Sequence, residues 1–256
     1  NYIINIYMKF INYYKSPNYN LRKKNASIKY IIIHYTAMRT DKEALDHLCI
    51  KQSKVSSHFF INKFGKVYYL VDLRFRAWHA GKSFWKGETD INSKSIGIEI
   101  SNSGHHLDFE KFKNKQIFSL IQLLLYLKNK YKVEANSILG HSDIAPYRKI
   151  DPGEKFPWRS LNEKKIVKLP RKINTKLSKE IDKYFNQKKI KSKKDRTLYM
   201  LDKIGYDTSL GKKNSVFFQL LIKSYQMHYC RSIVSGKLDT NTYEKIKFHY
   251  KQILTI

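Results

Sequence analysis

Ile28-Lys29-Tyr30-Ile31-Ile32-Ile33-His34 is a β-branched and aromatic run that ends on an imidazole. Such a run reads as a buried strand, and a polar ring at its end has no packing reason to sit there. Downstream, residues 56–71 (SSHFFINKFGKVYYLV) read as two strands joined by a turn at Lys63-Phe64-Gly65-Lys66. Residues 95–101 (SIGIEIS) form another strand, and the glycine inside it implies close approach of a neighbouring group. Residues 137–140 (SILG) are a short strand that again runs into a histidine, His141. Between these strands lie helical patterns. Residues 41–49 (DKEALDHLC) start from an acidic cap. From Phe109 to Tyr131, Phe112, Ile117, Leu120, Ile121, Leu124 and Leu127 recur at helical spacing and predict one long amphipathic helix. Strands alternating with helices over roughly 150 residues argue for an α/β fold with a mixed central sheet flanked by helices.

The pattern then changes. Residues 152–160 (PGEKFPWRS) hold two prolines and a glycine and close the first unit. Residues 161–194 are rich in Lys and poor in large apolar side chains, a basic linker with one weak helix at 177–186. Leu198, Leu201 and Ile204 mark a short helix ended by Gly205, Val216 to Tyr229 supply a second, and Asp239 opens a third. These make a small C-terminal three-helix domain over 195–256, with residues 1–27 as an N-terminal extension.

Composition limits the function classes. Fifty Lys plus Arg against twenty-one Asp plus Glu give a formal charge of +29, a field that attracts polyanions, from nucleic acid to cell-wall polymers. Lys, Asn, Ile and Tyr are abundant throughout, so biased codon usage accounts for much of that charge. No zinc-finger spacing, aromatic ribonucleoprotein signature or basic-region heptad stands out, and no specific nucleic-acid partner is expected. Two cysteines, Cys49 and Cys230, make no disulfide framework. There is no stretch of eighteen apolar residues to span a bilayer. The opening NYIINIYMKFINYY has neither the basic start nor the cleavage site of a secretory signal, and without an initial Met it leaves a preceding leader open.

Of nine histidines, position singles out His34 and His141, each at the end of a buried strand. Asp151 follows ten residues after His141, just before the Pro152-Gly153 turn. Two imidazoles and a carboxylate from separate elements suit a catalytic zinc with a fourth position open to water.

The segments IIIHYTA (31–37), SSHFFI (56–61), FRAWHAG (75–81), SIGIEISN (95–102) and GHSDIAPYRKIDPG (140–153) occur in that order. Over residues 16–162 they resemble the zinc N-acetylmuramoyl-L-alanine amidases, related to phage lysozyme-type amidases and to peptidoglycan recognition proteins. The likeness is greatest to the bacterial branch that holds the cytosolic anhydro-muropeptide amidase and the larger outer-membrane lipoprotein amidase. The resemblance implies a zinc amidase catalytic domain over 28–160 that cuts the amide between N-acetylmuramic (or anhydro-muramic) acid and L-alanine. It implies one zinc per chain on His34, His141 and Asp151, with Glu99 and Lys149 as catalytic residues beside it. Glu99 would serve as general acid–base and Lys149 would stabilise the oxyanion. It further implies substrate contacts from His58, Arg76, Trp78, His79, Asn102 and Arg148.

The stretches RTLYMLDKIGYDTS, FFQLLIKSYQMHY and SGKLDTNTYEKIKFHY, over about 195–252, resemble the three-helix peptidoglycan-binding module of wall hydrolases. That module favours the longer, envelope-associated kind of amidase, in the periplasm or anchored to a membrane, with the cytoplasm as the alternative. The expected partner is peptidoglycan or a muropeptide, and the expected state is a monomer. Two rivals are weighed: a recognition protein of the same fold without activity, which would lack a ligand, and a polyanion binder, whose binding would survive loss of zinc.

Overall fold

The computed structural model describes residues 9–171 and 175–254, so the first eight residues of the N-terminal extension lie outside it. The strands are β1 (Phe10–Ile11), β2 (Tyr19–Leu21), β3 (Tyr30–Tyr35), β4 (Phe59–Ile61), β5 (Val67–Tyr69), β6 (Phe75–Ala77), β7 (Ser95–Ile100) and β8 (Ile138–Gly140). The helices are α1 (Asp41–Cys49), α2 (Ile91–Lys94), α3 (Asn114–Tyr131), α4 (His141–Ile144), α5 (Trp158–Glu163), α6 (Thr175–Gln187), α7 (Lys193–Ile204), α8 (Ser209–Lys213), α9 (Ser215–Tyr229) and α10 (Thr240–Leu254). Six strands form one mixed sheet in the order β1-β5-β4-β7-β3-β8, and β2 pairs with β6 in a small second sheet. β3 runs parallel to both β7 and β8, whereas β4 and β5 form the antiparallel hairpin expected around Gly65.

The two faces of β3 do different things, because side chains alternate across a strand. Ile31, Ile33 and Tyr35 join Ile96, Ile98 and Ile100 of β7 in one core, closed by Leu120, Leu124 and Leu127 of α3. Tyr30 and Ile32 face the other way, into a second core shared with Ile144, Leu198, Leu201, Tyr206, Leu221 and Tyr225. The sheet is therefore a middle layer, with α3 on one side and the C-terminal helices on the other. His34 belongs to the second face.

The helix predicted from Phe109 begins only at Asn114. Phe109 and Phe112 fit the helical period but are buried from an extended loop, and Phe109 has a positive φ of 38°. Asn102 Nδ2 donates to the Glu110 carbonyl (2.8 Å) and Ser103 N to its carboxylate (3.0 Å), which holds that loop against β7. α6 covers the weak helix read at 177–186 and buries Ile181 and Phe185. At the C-terminus the short α8 accompanies three longer helices, each close to its predicted place.

Candidate active site

His34 is the last residue of β3 on the face it shares with Tyr30 and Ile32. Its Nδ1 lies 2.9 Å from Nδ1 of His141 and 3.1 Å from Oδ2 of Asp151, and His141 Nδ1 is 3.1 Å from the same oxygen. All three residues are buried. His141 arrives here because β8 pairs with β3 and hands directly into α4. Asp151 is brought alongside by a turn that packs on β8: a Cβ at Gly140 would sit 2.7 Å from Pro152 Cδ, and Ser142 N donates to the Asp151 carbonyl at 2.9 Å.

The surrounding hydrogen bonds fix both ring tautomers. Ser95 Oγ donates to the Ile91 carbonyl (2.7 Å), so it accepts from His79 Nε2 (3.1 Å). His79 Nδ1 is then bare and accepts from His34 Nε2 at 3.0 Å. His141 Nε2 donates to the Ala80 carbonyl at 3.2 Å. Each ring thus carries its proton on Nε2 and turns a bare Nδ1 toward Asp151. Three lone-pair donors within 3.1 Å of one another, with no proton to share, repel unless a cation sits among them. These three residues form a cluster able to hold a metal ion.

Electrostatics agree with that reading. Burial, then the neighbouring His141, lowers His34 to about 4, so its ring stays neutral. Glu99 is pushed well above its ordinary value by burial and by the Asp151 charge, with Lys149 partly offsetting them. Its Oε2 is buried with no hydrogen-bond partner among the described residues.

A cleft of about 420 Å³ opens over the cluster, lined by His141, Asp151, Glu99, Lys149, Trp78 and Arg148, among others. Of the expected substrate-contact residues, the structure brings Trp78 and Arg148 to this cleft, Trp78 tethered through Nε1 to Asn20 Oδ1 (2.8 Å). The Arg148 guanidinium is engaged within the protein, donating to the carbonyls of Ala80 and, at 2.8 Å, Lys82. His79 reaches the cleft wall, but both its nitrogens are committed to His34 and Ser95. The other three are not brought to the cleft. His58 is fully buried, accepting from Gly97 N (3.0 Å) and donating to the Phe75 carbonyl (3.1 Å). Arg76 pairs with Asp90 (3.1 Å), and Asn102 holds the loop described above.

Sequence reasoning missed several cleft residues: His47 and Leu48 of α1, Lys54, and His106, which had no assignment. Nothing local marks them, because α1 meets the cleft only through tertiary packing. It also missed Ser95, whose hydroxyl ends the hydrogen-bond chain behind His34.

A family model described as N-acetylmuramoyl-L-alanine amidase matches residues 24–154. The chain is 32% identical over 229 residues to the N-acetylmuramoyl-L-alanine amidase AmiD of Escherichia coli, covering 84% of this chain and 79% of that protein. It is 32% identical to the 1,6-anhydro-N-acetylmuramyl-L-alanine amidase AmpD of Haemophilus influenzae, over 56% of this chain and 86% of that one. Its fold is similar to a solved complex of E. coli AmiD with the substrate anhydro-N-acetylmuramic acid-L-Ala-D-γ-Glu-L-Lys. There the TM-score is 0.74 at 29% identity, covering 90% of this chain and 93% of that one.

Proposed function

The chain belongs to the N-acetylmuramoyl-L-alanine amidase family and is an amidase of that kind, and from that premise we propose that it works with a single zinc ion held by His34, His141 and Asp151. The observation that carries this reading is the set of three facing lone pairs, which needs a cation at its centre. A tetrahedral zinc with bonds of about 2.0–2.1 Å has donor–donor edges of about 3.3 Å, close to the 2.9–3.1 Å found here. When bound, zinc supplies a Lewis acid that makes water acidic enough to attack near neutral pH.

The chain's own residues do the rest. Glu99 takes a proton from the attacking water and returns it to the departing nitrogen, so that the amide C–N bond breaks to a carboxylic acid and a free L-alanine amine. Its raised affinity for protons suits both halves of that task. Lys149, on the cleft wall, balances the negative charge that develops on the carbonyl oxygen. Trp78 offers a flat apolar face to a sugar ring. Lys54, Arg148 and Lys149 line a cleft suited to the carboxylates of a stem peptide.

We take the substrates to be anhydro-muropeptides and intact wall, and the protein to act as a monomer. The AmiD match extends over 84% of the chain, against 56% for AmpD, and this favours the longer, envelope-associated kind of amidase. Residues 28–160 would then carry catalysis, and 195–256 would be a peptidoglycan-binding-like unit. Among the described residues no helix is long and apolar enough to cross a membrane. Digestion of purified peptidoglycan and of soluble anhydro-muropeptide, with and without chelator, tests the reading by mass spectrometry. Release of stem peptide that ignores the chelator would remove zinc from it.

A further inference from the structure

The face of α9 that meets the sheet, with the residue just past its end, touches two of the three segments that bear the cluster residues. Ser224 Oγ donates to the carbonyl of Ser142 at 2.7 Å, one residue after His141. His228 Nδ1 donates to Asp143 Oδ2 at 2.7 Å, two residues after His141. Arg231, just past the helix end, donates through Nε to the carbonyl of Glu154 at 2.6 Å, three residues after Asp151. Positions 224, 228 and 231 follow the i, i+4, i+7 rule for one helix face.

Asp143 is the hub. Its side chain is fully buried, and Oδ2 also accepts from Gly140 N at 2.7 Å, capping the helix that begins with His141. Oδ1 accepts from Tyr206 OH at 2.5 Å. The His228 ring stacks on Trp158 with centroids 3.7 Å apart, so it has little freedom to swing away. A buried carboxylate with every contact filled is costly to disturb, since loss of one donor leaves an unsatisfied group in a dry site.

We propose that α9 is a positioning element for the metal site: Ser224, His228 and Arg231 hold the His141 and Asp151 turns in register, with His228 acting through Asp143. The C-terminal helices thereby have a role in metal retention apart from any contact with the wall. This rests on the zinc reading above, because positioning matters only if the two turns share an ion. The three residues touch neither substrate nor metal.

The test uses the full chain. His228→Phe keeps the stacking on Trp158 and removes the N–H, whereas His228→Asn replaces the ring with a donor that reaches the same carboxylate. Lys247→Met is the stability control, since it breaks the buried pairing of Lys247 with Asp182 and Glu244 in α6 and α10, away from the ligand turns. Zinc affinity is read by chelator competition, coordination by the visible spectrum of the cobalt-loaded protein, and stability by thermal melting.

We expect His228→Phe to weaken zinc binding several-fold, less than the roughly 10–100-fold usual for a direct outer partner of a ligand because His228 acts one step further out through Asp143, and to shift the cobalt bands. His228→Asn should recover most of the affinity. Lys247→Met should lower the melting temperature and leave affinity and spectrum alone. If His228→Phe does not fold, Ser224→Ala takes its place with the same readouts. Wild-type affinity and spectrum in the deciding variant, or an equal loss of zinc in Lys247→Met, overturns the proposal. A wild-type protein that takes up no zinc overturns the site reading itself.

Discussion

His34 and Glu99 stand directly opposite one another on the neighbouring parallel strands β3 and β7. Paired residues in a parallel ladder send their side chains to the same face, so one register places a candidate metal ligand beside the candidate proton carrier. Phe60 of β4 pairs with Glu99 on its other side and helps keep its carboxyl dry.

That dryness has a cost which Glu99→Gln should expose. Replacing the carboxyl is expected to lower turnover by about 10²–10⁴ while zinc remains bound. In the zinc-free protein the same change should stabilise. A carboxyl whose folded value is raised supports the fold below its unfolded value, near 4.5, and loses that support as pH rises toward the folded value. The melting-temperature gain of the variant should therefore be absent near pH 4 and grow as pH rises. A gain that shrank with pH would contradict the assignment.

His141→Ala removes one of three donors and leaves His34 and Asp151 facing an incomplete shell. Turnover and stoichiometric zinc binding should both vanish, as read by metal analysis of the purified variant. Full activity would remove the proposed mechanism.

Ser95→Ala cuts the hydrogen-bond chain that sets the His34 tautomer, three residues removed from the ion. Zinc affinity should fall about 10–100-fold, and turnover should largely return when zinc is supplied in excess. Loss of turnover that excess zinc cannot restore would assign Ser95 another task.

His58 gives an acid limb to stability. Burial, and then Arg22, lowers its folded value to about 3 from 6.5. The unfolded chain therefore binds the proton first. Stability is complete above pH 6.5 and drains away as pH falls toward 3, at about 1.4 kcal/mol per pH unit from this group. Denaturant titrations of wild type and His58→Gln between pH 7 and 4 should show a shallower slope in the variant; equal slopes would refute the attribution.

β3 and β8 were legible because each is a short apolar run, and His34 and His141 stood out because each follows one, whereas β7 was legible from its alternating isoleucines. Gly97 was legible too. A Cβ there would lie 2.4 Å from the His79 ring, which is the close approach that a strand glycine implies. Phe109 and Phe112 misled because helical spacing does not tell a helix face from two rings plugging a core out of a loop. His58, Arg76 and Asn102 lie within recognisable segments, yet where their side chains point depends on partners such as Arg22, Asp90 and Glu110. Asp143 and His228 are 85 residues apart, and nothing in either neighbourhood announces the other.

The cluster draws one donor from position 34 and two from beyond position 140, a separation of 107 residues between the two histidines. No stretch of chain ending before Asp151 can assemble it, because β3 must first find β8 and the turn that carries Asp151. An ion therefore cannot template the early steps of folding. Bound there, it would select molecules already folded around the site and add stability by mass action, about 2.7 kcal/mol at a hundredfold excess over its dissociation constant. Metal uptake, on the zinc reading, would therefore report that β3, β8 and the Asp151 turn have come together.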